Sequence, residues 1–183
     1  PMSRATWHTF EQAFNDRFCD DVINIADQYE WESARTFSSE VQIETRSANI
    51  KWLNPGNEQS ITEAIYHMAS VANMQTFGVN IQGCFELQFT SYDTGDFYKE
   101  HIDVPWRKDT NAPKFDRKLS CSVLLNDPAE FEGGDLIVDG DRMELNKQGS
   151  MTVFPSYVPH EVKPVTKGIR LSLVSWIAGP EWR

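Results

Sequence analysis

Two stretches in the first part of the chain carry apolar residues at helical spacing. In the first, at about 16–30, apolar side chains recur every three or four positions, at Phe18, Val22, Ile25, Ala26 and Tyr29. The second continues up to Gly78 with a stripe made of Ile61, Ala64, Ile65, Met68, Ala69 and Ala72. Ser60 and Glu63 fit a capping box at its start. The pattern therefore predicts two amphipathic helices.

From about residue 80 onward the pattern changes to short β-type runs separated by turn residues. Strands are predicted at 81–91, 97–102, 118–125, 136–138, 142–145, 150–154, 158–162 and 169–177. The stretch 41–53 also has strand-like content and stops at Asn54, Pro55 and Gly56. This series predicts a mainly β fold with N-terminal helices, whose core is a double-stranded β-helix, a jelly-roll of the cupin type.

The chain shows no internal repeat, low-complexity tract or Ser/Gly-rich linker. We therefore expect a single domain over 1–183, with a helical support at about 1–79 and the jelly-roll core at about 80–178. The long polar segment 104–116 interrupts the strands and contains Trp106 and Pro113. We interpret it as a flap over a site, because long loops without regular structure are commonly functional.

Composition narrows the range of partners. The chain has 27 acidic residues against 17 lysines and arginines, and its formal net charge is −10. Binding along a phosphate backbone depends on basic side chains, so we expect no nucleic-acid partner. A run of 18 apolar residues and a secretory signal pattern are both absent, which predicts no membrane association. Cys19, Cys84 and Cys121 lack metal-type spacing and fit small buried residues in a reducing compartment, which predicts a cytoplasmic location.

His101, Asp103 and His160 form the most informative pattern in the chain. Alternate residues of a strand share a face, so His101 and Asp103 are expected to point the same way. The distant His160 would complete a 2-His-1-carboxylate facial triad, which holds Fe(II) and leaves coordination positions open for oxygen chemistry. Each part alone is a weak signal that is more often structural, and the pattern does not distinguish Fe(II) from Mn(II) or Zn(II).

Arg170 follows His160 along the chain, inside the apolar run 169–177. The two residues are symmetric about Val165 in a segment that looks like a turn, 163–168, and a hairpin would make them cross-strand neighbours. An Fe(II) site with two neutral imidazoles and one carboxylate carries a net charge of about +1. A bound 2-oxoglutarate dianion would change the net charge of the site to about −1. Arg170 would restore neutrality through a bidentate clamp on the distal carboxylate, which a lysine cannot form. The alternative for Arg170 is an ordinary surface salt bridge.

Four further residues are candidates because of their positions. Ser172 and Trp176 share a strand face with the arginine. Ser172 either donates a second hydrogen bond to the cosubstrate carboxylate or bonds to backbone, and Trp176 either walls the substrate side or packs in the core. Tyr92 and Tyr98 flank a turn at 93–96. Tyr92 is expected to contact the cosubstrate and Tyr98 the substrate, with core or rim packing as the alternative for both.

An ordered set of motifs over about 80–178 resembles the prolyl-hydroxylase branch of the Fe(II)/2-oxoglutarate dioxygenases, which includes collagen-type, oxygen-sensing and bacterial PKHD-type enzymes. The motifs are 92–103 (YDTGDFYKEHID), 124–126 (LLN), 132–136 (EGGDL), 154–156 (FPS), 160–162 (HEV) and 170–172 (RLS). The resemblance implies a jelly-roll enzyme that binds Fe(II) and uses 2-oxoglutarate and O2 as cosubstrates, with ascorbate as a reductant.

The same resemblance assigns roles to individual residues. It implies that His101, Asp103 and His160 bind the iron, and that Arg170 and Tyr92 hold 2-oxoglutarate. Three positions match residues beside the substrate: Tyr98, Arg117 and Trp176.

The activity implied by the resemblance is hydroxylation of prolyl residues in a peptide or protein, with release of succinate and CO2. One departure is Leu124, which stands where some members have a cosubstrate-binding tyrosine, so that contact is either missing or made by another group. The alternative substrate is a free amino acid or other small molecule. If the substrate is a peptide, we expect an open groove beside the iron. If it is a small molecule, we expect a closed pocket with a fixed charged group. The rival class is a non-catalytic cupin-like metal-binding module, for which His8 and His67 are the remaining histidines.

Overall fold

The computed structural model describes residues 5–37, 44–104 and 115–182. Over these ranges the chain forms two α-helices, α1 (Asp16–Ala26) and α2 (Gln59–Ala72), together with fifteen β-strands. The strands in chain order are β1 (His8–Phe10), β2 (Glu32–Ser33), β3 (Thr36–Phe37), β4 (Glu44–Ser47), β5 (Asn49–Leu53), β6 (Gly83–Tyr92), β7 (Phe97–His101), β8 (Phe115–Leu124), β9 (Phe131–Gly133), β10 (Leu136–Val138), β11 (Asp141–Arg142), β12 (Met151–Pro155), β13 (His160–Val162), β14 (Val165–Gly168) and β15 (Arg170–Pro180).

Helix α1 begins where a side chain satisfies one of its free backbone groups. The Asn15 side chain accepts a hydrogen bond from the backbone N–H of Phe18 at 2.9 Å, which is the usual N-cap arrangement. The helix ends at Ala26, earlier than the predicted residue 30. Its buried stripe, Cys19, Val22 and Ala26, packs into the main hydrophobic core.

Helix α2 starts without the predicted capping box. Its N-cap is Glu58, which makes no side-chain cap hydrogen bond, and Ser60 already lies inside the helix. The Asn54 carbonyl accepts hydrogen bonds from the backbone N–H groups of Asn57 and Glu58, so a turn leads straight into the helix. The capping-box prediction is therefore wrong. The helical stripe does reach Gly78, because a π-helical turn extends α2 to that left-handed glycine.

Two antiparallel sheets make up most of the molecule. The seven-stranded sheet has the order β1-β12-β8-β15-β6-β5-β2, and the six-stranded sheet has the order β11-β10-β13-β7-β4-β3. A small ribbon pairs β14 with β9. The predicted mainly β fold with N-terminal helices and a double-stranded β-helix core is confirmed.

The segment before residue 80 is more than a helical support. Strand β4 pairs with β7 in the six-stranded sheet, while β5 pairs with β6 in the seven-stranded sheet. Buried Ala48 is the single residue between β4 and β5, where the chain crosses from one sheet to the other. The strand-like stretch 41–53 therefore contributes to both sheets through its described residues.

The predicted hairpin between His160 and Arg170 is wrong. His160 lies in β13, which pairs with β7 and β10, whereas Arg170 begins β15, which pairs with β6 and β8 in the other sheet. Part of the supposed turn forms β14, which pairs with β9. Val165 explains the difference, because its side chain is only 1% exposed and packs into the second core cluster instead of capping a surface turn.

The two faces of the seven-stranded sheet differ in polarity. Its outer face packs against both helices through apolar residues, including Leu87, Leu173 and Ile177. The face toward the other sheet buries several polar side chains: Gln88, Thr90, Ser120, Ser122 and Ser172. Buried polar groups are costly unless they are satisfied, so this inner face is where a functional site is expected.

Most of the predicted flap, 104–116, lies outside the described residues. At its ends, Val104 is buried and Phe115 already belongs to β8. Neither described helix is long and apolar enough to cross a lipid bilayer.

Candidate active site

His101, Asp103 and His160 meet at one point between the two sheets. The histidines lie opposite each other on the paired strands β7 and β13, and Asp103 lies two residues beyond the end of β7. One ligand atom from each residue lies within 4.8 Å of the other two. The Nε2 atoms of His101 and His160 lie 3.5 Å and 3.4 Å from the Asp103 carboxylate. Ligand bonds of about 2 Å from all three to one metal ion fit these separations.

Backbone carbonyls orient both imidazole rings. Nδ1 of His101 lies 2.8 Å from the carbonyl oxygen of Lys99, and Nδ1 of His160 lies 2.9 Å from that of Val158. A carbonyl can only accept, so each Nδ1 carries the proton and donates. The lone pair of each neutral ring is then on Nε2, the atom that faces the carboxylate, which is the tautomer needed for metal binding.

The Asp103 carboxylate is held from the other sheet. Its Oδ2 accepts hydrogen bonds from Ser120 Oγ at 2.6 Å and from Trp176 Nε1 at 2.9 Å. Burial raises the pKa of Asp103, whereas the adjacent His101 and His160 lower it, and the pKa lies well below its ordinary value. Asp103 is therefore a carboxylate, with one oxygen fixed by the protein and the other facing His101.

Arg170 is buried at the other end of the same cavity. Its residue is 2% exposed, and its Nη2 atom has no hydrogen-bond partner in the structure. The hydroxyl of Ser172, two positions along the same strand face, is buried and unpartnered as well. A lone guanidinium in a protein interior costs free energy unless an anion pairs with it. The Arg170–Ser172 pair therefore fits a ligand that brings its own carboxylate.

Tyr92 lies opposite Arg170 on β6. Its ring centroid is 5.8 Å from the Arg170 guanidinium carbon, and the residue is 3% exposed. Burial raises the pKa of Tyr92, so its phenol stays protonated and can donate a hydrogen bond. Leu124, which pairs in register with Ser172, brings no polar group. Leu124 cannot donate a hydrogen bond to a ligand beside Ser172, whereas the Tyr92 phenol can.

Gly134 makes room for the buried arginine. A Cβ atom on Gly134 would lie 2.9 Å from Arg170 Cδ and 3.0 Å from Val165 Cγ2, closer than side chains approach. Gly134 also has a φ of +67°, which L-residues with side chains rarely adopt. The EGGDL motif therefore supports the position of the Arg170 side chain.

The other predicted residues, Tyr98, Arg117 and Trp176, line the open side of the cavity. Tyr98 stacks on His101 with ring centroids 3.5 Å apart. Arg117 forms a two-point hydrogen-bonded ion pair with Glu86 and lies over the Trp176 ring at 3.8 Å. Trp176 also contacts the triad, because its Nε1–H donates a hydrogen bond to the Asp103 carboxylate. The cavity reaches the surface here, since the side chains of His101 and Arg117 keep 19% and 29% of their exposure.

Sequence reasoning missed several residues that line this cavity, among them Arg46, Gln88 and Ser120. Gln88 had a usable signal, because it shares a strand face with Tyr92 by period-two spacing. Ser120 had the same kind of signal as a polar residue inside an apolar strand. Arg46 had none, because its place at the cavity depends on the pairing of β4 with β7.

The side chains of His101, Asp103 and His160 suit an Fe(II) ion. Two neutral imidazoles and one carboxylate are the ligands of non-haem Fe(II) sites, and the unpartnered Arg170 supplies the charge for an anionic cosubstrate. A model for the 2OG-Fe(II) oxygenase superfamily matches residues 87–178, about half of the chain. The chain belongs to this superfamily. Iron, 2-oxoglutarate and O2 are the cofactor and cosubstrates of the family.

Two of the sequence relatives of this superfamily member are bacterial PKHD-type hydroxylases. The protein of Aliarcobacter butzleri is 36% identical over 93 residues, which cover 49% of this chain and 41% of the relative. That of Rippkaea orientalis is 35% identical over 101 residues, covering 50% of this chain and 41% of the relative. The chain thus spans about two fifths of the length of the curated relatives it matches.

Solved structures with the same fold cover nearly the whole chain. A viral collagen prolyl hydroxylase from Paramecium bursaria Chlorella virus-1 aligns with a TM-score of 0.73 at 20% identity, covering 96% of this chain and 97% of the viral chain. A Pseudomonas putida prolyl-4-hydroxylase aligns with a TM-score of 0.67 at 24% identity, covering 94% and 91%. At these identities the likeness shows the jelly-roll fold.

Proposed function

We propose that this superfamily member hydroxylates prolyl residues in a peptide or protein, with Fe(II) and 2-oxoglutarate, and releases succinate and CO2. The observation that carries the proposal is the pairing of two features in one cavity. A histidine–aspartate–histidine cluster has its ligand atoms within 4.8 Å of one another, and a buried arginine that lines the same cavity has an Nη2 atom without a hydrogen-bond partner. A bound metal ion and a bound anion together account for both features.

In this proposal His101, Asp103 and His160 hold the iron. Together the bound iron and 2-oxoglutarate supply the oxidative chemistry, in which O2 is split, the keto acid loses CO2 to become succinate, and one oxygen atom enters a substrate C–H bond. The backbone carbonyls at Lys99 and Val158 keep both Nε2 atoms free to bind. Ascorbate would serve as a reductant for iron oxidised without substrate turnover.

Arg170, Ser172 and Tyr92 form the proposed 2-oxoglutarate subsite. Arg170 pairs with the distal carboxylate of the cosubstrate, and the hydroxyl of Ser172 donates to the same group. The protonated phenol of Tyr92 donates a further hydrogen bond to 2-oxoglutarate. These contacts would satisfy the buried Arg170 Nη2 and Ser172 Oγ atoms, which have no partner in the structure.

Tyr98, Arg117 and Trp176 form the proposed substrate side. Flat aromatic rings at Tyr98 and Trp176 suit a compact apolar ring such as that of proline. The surface opening favours a residue presented by a longer chain over a fully enclosed molecule. Peptide and prolyl substrates are further supported by the names of the structural relatives, a viral collagen prolyl hydroxylase and a bacterial prolyl-4-hydroxylase.

Two general properties are part of the proposal. Residues 1–183 would act as a single domain, because strands before and after residue 80 share both sheets. A cytoplasmic location is supported by Cys19, Cys84 and Cys121, which are all buried free thiols.

A free amino acid is the second candidate substrate. The observation in its favour is Arg46, a charged side chain held in the cavity lining, as expected for a site that grips a small charged molecule. The opening at His101 and Arg117 favours the peptide.

The test is anaerobic reconstitution with Fe(II) and 2-oxoglutarate, followed by exposure to O2 with proline-containing peptides and free amino acids. We expect succinate release coupled to hydroxyproline in a peptide, with loss of both in Asp103→Ala. Coupled turnover of a free amino acid alone would move the assignment to the second candidate. If metal binds but no succinate forms with any substrate, the chain is a non-catalytic binding module.

A further inference from the structure

The charges of the described residues that line the cavity do not balance once the proposed ligands are counted. Iron with the Asp103 carboxylate carries about one positive charge, and bound 2-oxoglutarate with Arg170 carries about one negative charge. Arg117, at the opening, is neutralised by its two-point ion pair with Glu86. Among the described residues that line the cavity, Arg46 is the charged group left over.

The surroundings of Arg46 provide polar and aromatic contacts but no described carboxylate. Its Nη2 donates to the Gln88 side-chain oxygen at 2.8 Å, and its guanidinium carbon lies 4.6 Å from the centre of the Tyr98 ring. Its Nε is buried without a hydrogen-bond partner. Gln88 and Tyr98 thus fix the orientation of a cation whose charge is not neutralised by the described part of the chain.

Arg46 lies between the two halves of the cavity. Its guanidinium contacts the Tyr98 ring at the substrate end, and it hydrogen-bonds Gln88, which shares a strand face with Tyr92 at the cosubstrate end. Tyr98 in turn stacks on the metal-side His101. A group that reaches Arg46 from the opening would therefore lie next to the position where a substrate meets the metal.

We infer that the primary substrate carries a carboxylate beside the hydroxylated carbon, and that Arg46 binds it. The inference rests on the proposed function and adds a charge requirement to it. The carboxylate has two possible sources: an acidic side chain next to the target proline in a peptide, or the α-carboxylate of a free amino acid. A site with about one excess positive charge selects either one over a neutral analogue of the same shape.

The experiment compares blocked peptides that differ only in an aspartate or an asparagine next to a single proline, with free L-proline as a separate arm. Affinity is measured without O2 on the enzyme loaded with Fe(II) and 2-oxoglutarate, using the fluorescence of Trp52 and Trp176 in the cavity wall. Since a hydrogen bond to a charged group contributes strongly to binding, we expect tighter binding of the aspartate peptide by about 10-fold to 100-fold.

Variants at position 46 separate recognition from structure. Arg46→Gln should abolish the preference for aspartate, Arg46→Lys should retain part of it, and Arg46→Glu should favour a lysine-flanked peptide. A structural role alone would not reverse the preference with the sign of the charge. Arg142→Gln removes the same charge from an exposed site, 62% exposed beside Asp135, and should leave the preference unchanged.

The outcomes distinguish this inference from the proposed function. Equal affinity for both peptides in wild type and Arg46→Gln overturns the inference even when hydroxyproline forms. A larger loss of 2-oxoglutarate affinity than of substrate affinity in Arg46→Gln also overturns it, because Arg46 would then serve the cosubstrate. Binding and turnover of free L-proline that depend on Arg46, without turnover of any peptide, support the inference and remove the peptide function.

Discussion

The two ends of the cavity differ in whether their buried polar groups are hydrogen-bonded by the protein. At the metal end the protein itself holds each side chain: backbone carbonyls accept from both imidazoles, and Ser120 and Trp176 donate to Asp103. At the arginine end Arg170 Nη2 and Ser172 Oγ are buried and have no hydrogen-bond partner. One end is preorganised by the chain, whereas the other is completed only by a ligand.

The difference has an energetic basis. Metal ligands must be held at fixed distances, and hydrogen bonds to their second atoms supply that rigidity. An arginine that binds a dianion must stay unpaired until the dianion arrives, so the ligand-free protein carries its desolvation cost. Substitutions at the two ends should therefore affect stability and binding with different signs.

The largest expected effect is at the metal end. Asp103→Ala removes the single carboxylate of the triad, and we expect succinate formation to fall by more than about 100-fold, since even the loss of an outer-shell partner costs 10-fold to 100-fold. Metal affinity should fall with it, as measured by anaerobic titration with Fe(II). Full succinate production by this variant would remove the triad from the mechanism.

Arg170→Met tests the opposite end. It replaces the buried cation with an apolar side chain of similar length, and the apparent KM for 2-oxoglutarate should rise by about 100-fold because two charge-assisted hydrogen bonds are lost. The ligand-free protein should become no less stable, and more stable by up to roughly 1–4 kcal/mol, since an unpaired buried charge is gone. Urea unfolding without and with 2-oxoglutarate measures both effects.

A clear drop in the stability of ligand-free Arg170→Met would contradict this contrast. It would mean that the arginine already contributes to the fold before any ligand binds. Arg35→Met is a suitable control, because its side chain is 62% exposed and ion-paired with Glu44, and neither residue lines the cavity.

Local patterns predicted most elements, and they selected His101, Asp103 and His160, whose ligand atoms lie within 4.8 Å of one another. Apolar stripes indicated α1 and α2, and period-two spacing placed His101 and Asp103 together. The relation of His160 to Arg170 was not predictable in this way. Nearness in sequence suggested a hairpin, but the chain crosses to the other sheet between them, and only long-range strand pairing decides that.

The same limit explains why the contacts of Ser120 and Arg46 were not predicted. Ser120 reaches Asp103 from the opposite sheet, and Arg46 reaches Tyr98 through the pairing of β4 with β7. Trp176 was expected to wall the substrate side, and the structure adds its hydrogen bond to the metal-side carboxylate. A contact between distant strands leaves no pattern in the sequence around either residue, so such a contact cannot be predicted from local sequence.

Trp176→Phe sharpens the comparison with a smaller change. It keeps an aromatic ring but removes the N–H that donates to Asp103 Oδ2. We expect Fe(II) affinity to fall by about 10-fold to 100-fold, with little change in 2-oxoglutarate affinity. Trp52→Phe is the matched control, since that ring lies 6.1 Å from Trp176 and no hydrogen bond joins it to the triad. Equal effects of both substitutions would indicate that ring packing matters rather than the hydrogen bond.

Gly134→Ala should have the smallest effect on ligand binding, and it acts on the arginine end by adding a methyl group beside Arg170. The new methyl would lie 2.9 Å from Arg170 Cδ, and the buried side chain must shift to avoid it. We expect the Kd for 2-oxoglutarate to rise by about 10-fold, equivalent to about 1.4 kcal/mol. Isothermal titration calorimetry on the Fe(II)-loaded protein measures this.

Gly140→Ala separates displacement of the arginine from backbone strain. Gly140 also has a positive φ, +81°, but a Cβ there meets nothing within 4 Å. Both variants should lose about 1–2 kcal/mol of unfolding free energy, because a left-handed residue with a side chain is strained in each. Only Gly134→Ala should weaken 2-oxoglutarate binding. If Gly140→Ala weakened it equally, strain rather than the position of Arg170 would control the affinity, and the arginine end would not depend on the fit behind its side chain.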